Sequence, residues 1–141
     1  YSNNLLKSQV VAINEYQKTR FVRRIIKNLF NNISGKRIAI FGFAFKKNTG
    51  DTRETPALTV IDRLLDEGST VAIYDPVVER TQIEADLVHC LKRPADSWAN
   101  QVVFAEDAYA ACAEAHALVV CTEWDEFREL DYERIYRSMA K

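Results

Sequence analysis

Several things missing from the sequence narrow its reading at once. The usual dinucleotide fingerprint, Gly-x-Gly-x-x-Gly, does not occur, because Gly42 is followed by Phe43 and the next glycine is Gly50. No apolar run approaches the ~20 residues that span a bilayer, and residues 1–15 lack the pattern of a signal peptide, so no membrane partner is expected. His89 and His116 lie far apart, and neither has a partner at ligand spacing, which argues against a metal site. Cysteine is limited to Cys90, Cys112 and Cys121, an odd, widely spaced set that suits a reducing, cytoplasmic setting better than a disulfide framework. A formal net charge of -1 provides no general field for nucleic acid, so any phosphate binding has to be local. The chain also begins without methionine and already in helical pattern, which leads us to expect a piece of something longer.

What is present is globular. With 141 residues, 48% of them apolar and 28% charged, the chain can bury one ordinary core with an element attached. Over residues 3–31, Leu6, Val10, Ile13, Gln17, Phe21, Ile25 and Leu29 recur every three or four positions without an intervening glycine or proline, which predicts one long helix. At 1.5 Å per residue it would run about 40 Å, more than a small domain can cover, so its surplus apolar face should pack on another domain or subunit. Lys18, Arg20, Arg23, Arg24 and Lys27 on its other face read first as a solvated surface. The expected division is therefore 1–34 as a linking and dimerising helix and 35–141 as the domain proper.

From Gly35 the period changes to strands alternating with helices. Strands are expected at 38–41, 70–74, 102–104 and 117–121. Helices are expected at 56–67, 79–87 and 107–113, with a helical turn at 125–127 and a last helix at 132–139. Thr55 is the N-cap of the first helix, Pro56 suits its first turn and Gly68 its C-cap. This alternation implies a Rossmann-like, doubly wound parallel sheet in a three-layer αβα arrangement. Counting strands from residue 38, the order is 3-2-1-4, with the fifth strand missing and one sheet edge left either bare or covered by another part of a longer protein. The crevice of such a sheet opens where its first and fourth strands meet, so loop 42–55 should meet Thr122, Glu123 and Trp124 there.

Loop 42–55 holds most of the residues with chemistry. Lys46 and Lys47 follow a strand end, where an ammonium and nearby amides can share a phosphate; the alternative is a pair of surface lysines. Arg53 stands just before a helix N-terminus, where a cation gains nothing from the dipole, so an anion should meet it: Asp51, Glu54 or a ligand. Phe43 and Phe45 either cover a base or sugar or pack beneath the loop. Asp75 ends a strand where a dinucleotide domain places its ribose carboxylate, yet a turn or cap is the default with the glycine fingerprint missing. Thr122 and Glu123 read best as caps of the following helical turn, and Trp124 as core. Cys121 and Cys112 read as small buried residues, and Cys90 has no obvious activating base. No catalytic constellation emerges, which leaves a binding domain.

The run Gly-Phe-Ala-Phe-Lys-Lys-Asn-Thr-Gly-Asp-Thr-Arg-Glu-Thr-Pro-Ala, with Ile-Tyr-Asp-Pro at 73–76 and Cys-Thr-Glu-Trp-Asp at 121–125, closely resembles the C-terminal UDP-binding domain of the UDP-glucose/GDP-mannose dehydrogenase family. In detail it is similar to animal members of the UDP-glucose 6-dehydrogenase branch. Stretches 14–17, 20–21 and 129–133 also match, so the resemblance covers nearly the whole chain. It implies an NAD-dependent enzyme that oxidises the C6 alcohol of UDP-glucose twice to UDP-glucuronate, using a catalytic cysteine. By the family pattern Phe45 and Lys46 contact UDP-glucose, and Arg53 reaches the NAD held by an N-terminal domain. Lys47, Phe43 and Glu123 are further candidates beside them. Helix 3–31 then joins the two domains and forms the homo-oligomer contact. The family's glycine motif, catalytic cysteine, lysine and glutamate are absent, as is an arginine-bearing stretch expected after Lys141, and Asn48 replaces a frequent aspartate. The expected product is a UDP-sugar half-site that catalyses nothing alone. A related UDP-N-acetyl-sugar or GDP-mannose dehydrogenase, or a pure oligomerisation module, remains the alternative.

Overall fold

The computed structural model describes residues 10–12, 24, 27, 34–53 and 55–140. Five parallel strands form one sheet: β1 (Val10–Ala12), β2 (Arg37–Phe41), β3 (Thr70–Tyr74), β4 (Val102–Phe104) and β5 (Ala117–Val120), in the order β1-β5-β2-β3-β4. Helix α1 (Pro56–Asp66) links β2 to β3, α2 (Arg80–His89) and α3 (Ala95–Trp98) link β3 to β4, and α4 (Ala108–Cys112) links β4 to β5. A 3-10 turn at Asp125–Arg128 and helix α5 (Tyr132–Ser138) follow.

Parallel pairing explains the composition of the central strands. Ile38 to Phe41 and all of β5 are buried, so both faces of the sheet are covered and neither strand alternates apolar with polar. Helix α1 places Ala57, Leu58, Val60, Ile61, Leu64 and Leu65 in the core, each large one contributing about 1.5–3 kcal/mol by leaving water. Its start follows the sequence expectation: Pro56 occupies the first turn, and the Thr55 hydroxyl accepts the Ala57 N–H at 3.3 Å. Its end does too, with Gly68 at φ +83° just beyond the last turn.

The four strands from residue 37 onward take the expected 3-2-1-4 order. One expectation is corrected at the outer edge. Val10–Ala12 is extended and pairs in parallel with Leu118, Val119 and Val120, so the position beside β5 is occupied by a strand from within the expected helix. The edge of β5 carries backbone N–H and C=O groups that need partners, and a strand supplies them. A short apolar run containing two β-branched residues does not by periodicity alone distinguish helix from strand. Arg24 and Lys27 are helical and exposed, in keeping with a solvated helix face. The rest of the expected 3–31 helix lies outside the described residues.

Candidate functional site

The site grows out of the junction of β2 and β5. Gly42 turns the chain at φ +91°, a conformation that an L side chain rarely adopts. A Cβ at Gly42 would stand 2.4 Å from Thr122 Cβ and 2.7 Å from the Thr122 backbone nitrogen. Glycine thus lets the end of β2 press directly on the first residues beyond β5. The contact is held by Cys121 N–H and Thr122 N–H donating to Phe41 O at 2.8 and 3.3 Å, and by Gly42 N–H donating to Tyr74 O at 2.8 Å.

Past this turn the loop is tied down residue by residue. Asp75 Oδ2 accepts the backbone N–H of Phe43 at 2.7 Å and of Ala44 at 3.1 Å. The same oxygen accepts the Trp124 indole N–H at 3.1 Å. Asp75 Oδ1 accepts Val77 and Val78 N–H, both at 2.8 Å. Ala44 O accepts the Thr122 hydroxyl at 2.6 Å and the Thr55 hydroxyl at 3.3 Å, while Phe45 N–H donates to Asp51 O at 2.7 Å. Loop 42–55 is therefore fixed at both ends and in the middle.

The candidates separate on this frame. Phe43 is fully buried in the core, in keeping with the second of its two readings, packing beneath the loop. Bonding of its N–H to Asp75 turns this residue inward beneath the loop. Phe45 is half-buried. Lys46 is exposed and forms no ion pair among the described residues. Lys47 is paired with Asp125 at 3.0 Å, which ties the loop to the 3-10 turn. Glu123 is exposed beside that turn.

Arg53 is 88% exposed and grips Asp51, with Nη2 at 2.7 Å from Oδ2 and Nε at 3.0 Å from Oδ1. Its own backbone N–H donates to the same carboxylate at 2.9 Å. The Arg53 side-chain and backbone hydrogen bonds lower the Asp51 pKa to about 2. Of the anions expected beside Arg53, Asp51, two residues back, is in direct contact with it.

One further expectation, a side-chain cap from Thr122 or Glu123, is corrected beyond β5. The Thr122 hydroxyl bonds to Ala44 O, and the 3-10 turn at Asp125–Arg128 starts from Trp124 with no side-chain cap. Trp124 is buried as expected, but its indole N–H also serves Asp75. Asp75 had a local signal, its place at a strand end before Pro76. The strand order had brought Thr122 and Trp124 to loop 42–55 as expected, but not the particular bonds they make, whose partners lie 78 and 49 residues away.

The remaining chemistry is quiet. Burial pushes the thiols of Cys112 and Cys121 up to about 12, so neither is a nucleophile near neutral pH. Burial, reinforced by a 2.6 Å hydrogen bond to Glu126, likewise raises Tyr74. Among the described residues no group of His, Cys, Asp and Glu could hold a metal ion, and no helix is long and apolar enough to cross a membrane. The arrangement presents a cation on a rigid loop above a strand junction, a geometry for holding an anion.

Residues 39–141 match the family model described as UDP-glucose/GDP-mannose dehydrogenase family, UDP binding domain. The UDP-glucose 6-dehydrogenase of Drosophila melanogaster is 56% identical over 134 residues, which cover 94% of this chain and 28% of that protein. That of Mus musculus is 53% identical over 133 residues, covering 94% and 27%. The chain thus spans less than a third of the length of these relatives. Among solved structures, a UDP-glucose dehydrogenase from the hyperthermophilic archaeon Pyrobaculum islandicum has a TM-score of 0.64 at 26% identity, covering 84% of this chain and 24% of its own. A UDP-D-ManNAc dehydrogenase from Pyrococcus horikoshii, with a TM-score of 0.63 at 23% identity over 89% of this chain and 24% of its own, is alike in fold.

Proposed function

The chain belongs to the UDP-glucose/GDP-mannose dehydrogenase family and carries its UDP binding domain, and from that premise we propose that it supplies the UDP-sugar half-site of a UDP-glucose 6-dehydrogenase. The whole enzyme, in this reading, oxidises UDP-glucose to UDP-glucuronate in two NAD-dependent steps. The observation that carries the site is Lys46: exposed, on a loop anchored at the carboxyl ends of β2 and β5, with no carboxylate paired to it among the described residues. In an open parallel sheet this junction is where ligands bind, and an ammonium there neutralises a diphosphate. Phe45 accompanies Lys46 against the UDP-sugar. Lys47, held by Asp125, and Glu123 border the same crevice.

The described residues do not fit NAD as a dinucleotide site of their own. The turn at Gly42 closes on Thr122, and both oxygens of the strand-end carboxylate Asp75 are taken up by internal donors. By the family resemblance NAD is held by an N-terminal domain, toward which the exposed Arg53 would reach on leaving Asp51. The chemistry of hydride transfer lies there, and this chain positions the sugar nucleotide by its distal end. A homo-oligomer and a cytoplasmic setting complete the proposal.

The test is a titration of the chain with UDP, followed by backbone amide shifts. Perturbations clustered at residues 43–47 and 122–125 are expected. A set of shifts scattered elsewhere, or none at millimolar UDP, would end this reading.

A further inference from the structure

Asp75 does more than close its own turn. Its carboxylate receives five donors from three separate stretches: Phe43 and Ala44 from the loop after β2, Val77 and Val78 from its own turn, and Trp124 from the segment after β5. A carboxylate offers about four lone-pair positions, so five N–H groups saturate it. A ribose hydroxyl arriving at this strand end meets an acceptor already fully used. Two of the three bonds on Oδ2 fix Phe43 and Ala44, the two residues that immediately precede Phe45 and Lys46, and the third comes from Trp124.

We propose that Asp75 is a positioning residue of the UDP-sugar site, setting the direction in which Phe45 and Lys46 leave β2, and that it does not itself bind the nucleotide's ribose. This rests on the reading of the site given above. Three features support it. The anchored amides are contiguous with the ligand-facing side chains. The Thr122 hydroxyl locks the Ala44 carbonyl from the opposite side at 2.6 Å, leaving the Ala44 peptide held through both its N–H and its C=O. Finally, the Trp124 indole links this carboxylate to the segment whose next residue, Asp125, pairs with Lys47. The carboxylate thus couples the loop to both strand ends that border the crevice. Preorganisation of this kind places a binding group before the ligand arrives, so its loss shows in affinity as well as in stability.

The experiment compares UDP affinity, normalised to the folded fraction, in the chain and in three variants. Asp75→Asn keeps the shape but converts one acceptor into a donor facing N–H groups. Trp124→Phe removes the indole N–H, together with the bulk of one ring, while keeping an aromatic side chain. Asp62→Asn is the stability control, because it weakens the Arg93 contact at 2.6 Å on α1, outside the loop. We expect the UDP Kd to rise about tenfold or more for Asp75→Asn and about threefold for Trp124→Phe, with Asp62→Asn within about twofold. The Phe43 and Ala44 amides should lose hydrogen-exchange protection in Asp75→Asn beyond its global drop in stability. A folded Asp75→Asn that binds UDP within twofold of the parent overturns the proposal, as does a loss matched by Asp62→Asn. If Asp75→Asn fails to fold, unchanged UDP affinity in Trp124→Phe overturns it instead. Absence of any UDP response in the unmodified chain is a different failure, which removes the site reading and this proposal with it.

Discussion

Gly42 and Thr122 touch so closely that the hydrogen of glycine is the largest group the contact admits. With a Cβ at 2.4 Å from Thr122 Cβ and a φ of +91°, both steric room and backbone conformation require glycine. This contact joins the ends of β2 and β5, and the loop carrying Lys46 departs from it.

Gly42→Ala is therefore expected to cost roughly 3 kcal/mol or more, combining left-handed backbone strain with overpacking. The clash includes the Thr122 backbone nitrogen at 2.7 Å, so trimming the Thr122 side chain should restore little. Urea unfolding measures both variants. A loss below about 0.5 kcal/mol for Gly42→Ala, the range of an ordinary surface change, would contradict the close approach.

Lys46 and Lys47 should separate cleanly although they are neighbours. Lys46→Ala is expected to weaken UDP binding about tenfold while changing stability by less than about 0.5 kcal/mol, since the side chain is exposed and unpaired among the described residues. Lys47→Ala should weaken binding less, because Asp125 already holds that ammonium. Calorimetric titration with UDP decides. A larger effect at Lys47 would transfer the anion contact to that residue.

The Asp51–Arg53 pair makes a prediction in pH. The folded carboxyl lies at about 2, below its ordinary 3.8, so the favourable contribution is complete above the unfolded value and is lost as pH falls from about 4 toward 2. At neutral pH the pair is intact. Carbon-detected NMR of the Asp51 carboxyl should give a midpoint near 2, returning toward the ordinary value in Arg53→Ala. An unshifted midpoint in the parent chain would show that the guanidinium does not hold Asp51 in solution.

The three thiols should react unequally. Cys112 and Cys121 are buried and pushed up to about 12, whereas Cys90 is exposed. Alkylation of the folded chain at pH 7.5, read by peptide mass spectrometry, should label Cys90 well ahead of the other two. Because the buried thiols have raised values, their neutral forms stabilise the fold below pH 9.0, and that contribution declines as pH rises toward about 12. Fast labelling of Cys121 in the folded state would contradict its burial beneath the site.

How far the sequence reached depended on the range of the interactions involved. Thr55, Pro56 and Gly68 bounded α1 in advance because capping and backbone dihedrals act within a few residues. The apolar runs of β2, β3, β4 and β5 marked four of the strands and, with the crossover rules, their order. The loop after Gly42 was also recognisable, since it stands where a strand ends and cations begin. The sequence by itself therefore determined the α/β alternation, the strand junction and the loop that carries Lys46. Tertiary structure alone decided that Val10–Ala12 lies beside β5, that Phe43 turns inward, and that Asp75 gathers donors from up to 49 residues away. The physical reason is that a backbone edge, a buried ring and a carboxylate each take whichever partners the folded chain brings near, and sequence neighbours carry no trace of that choice.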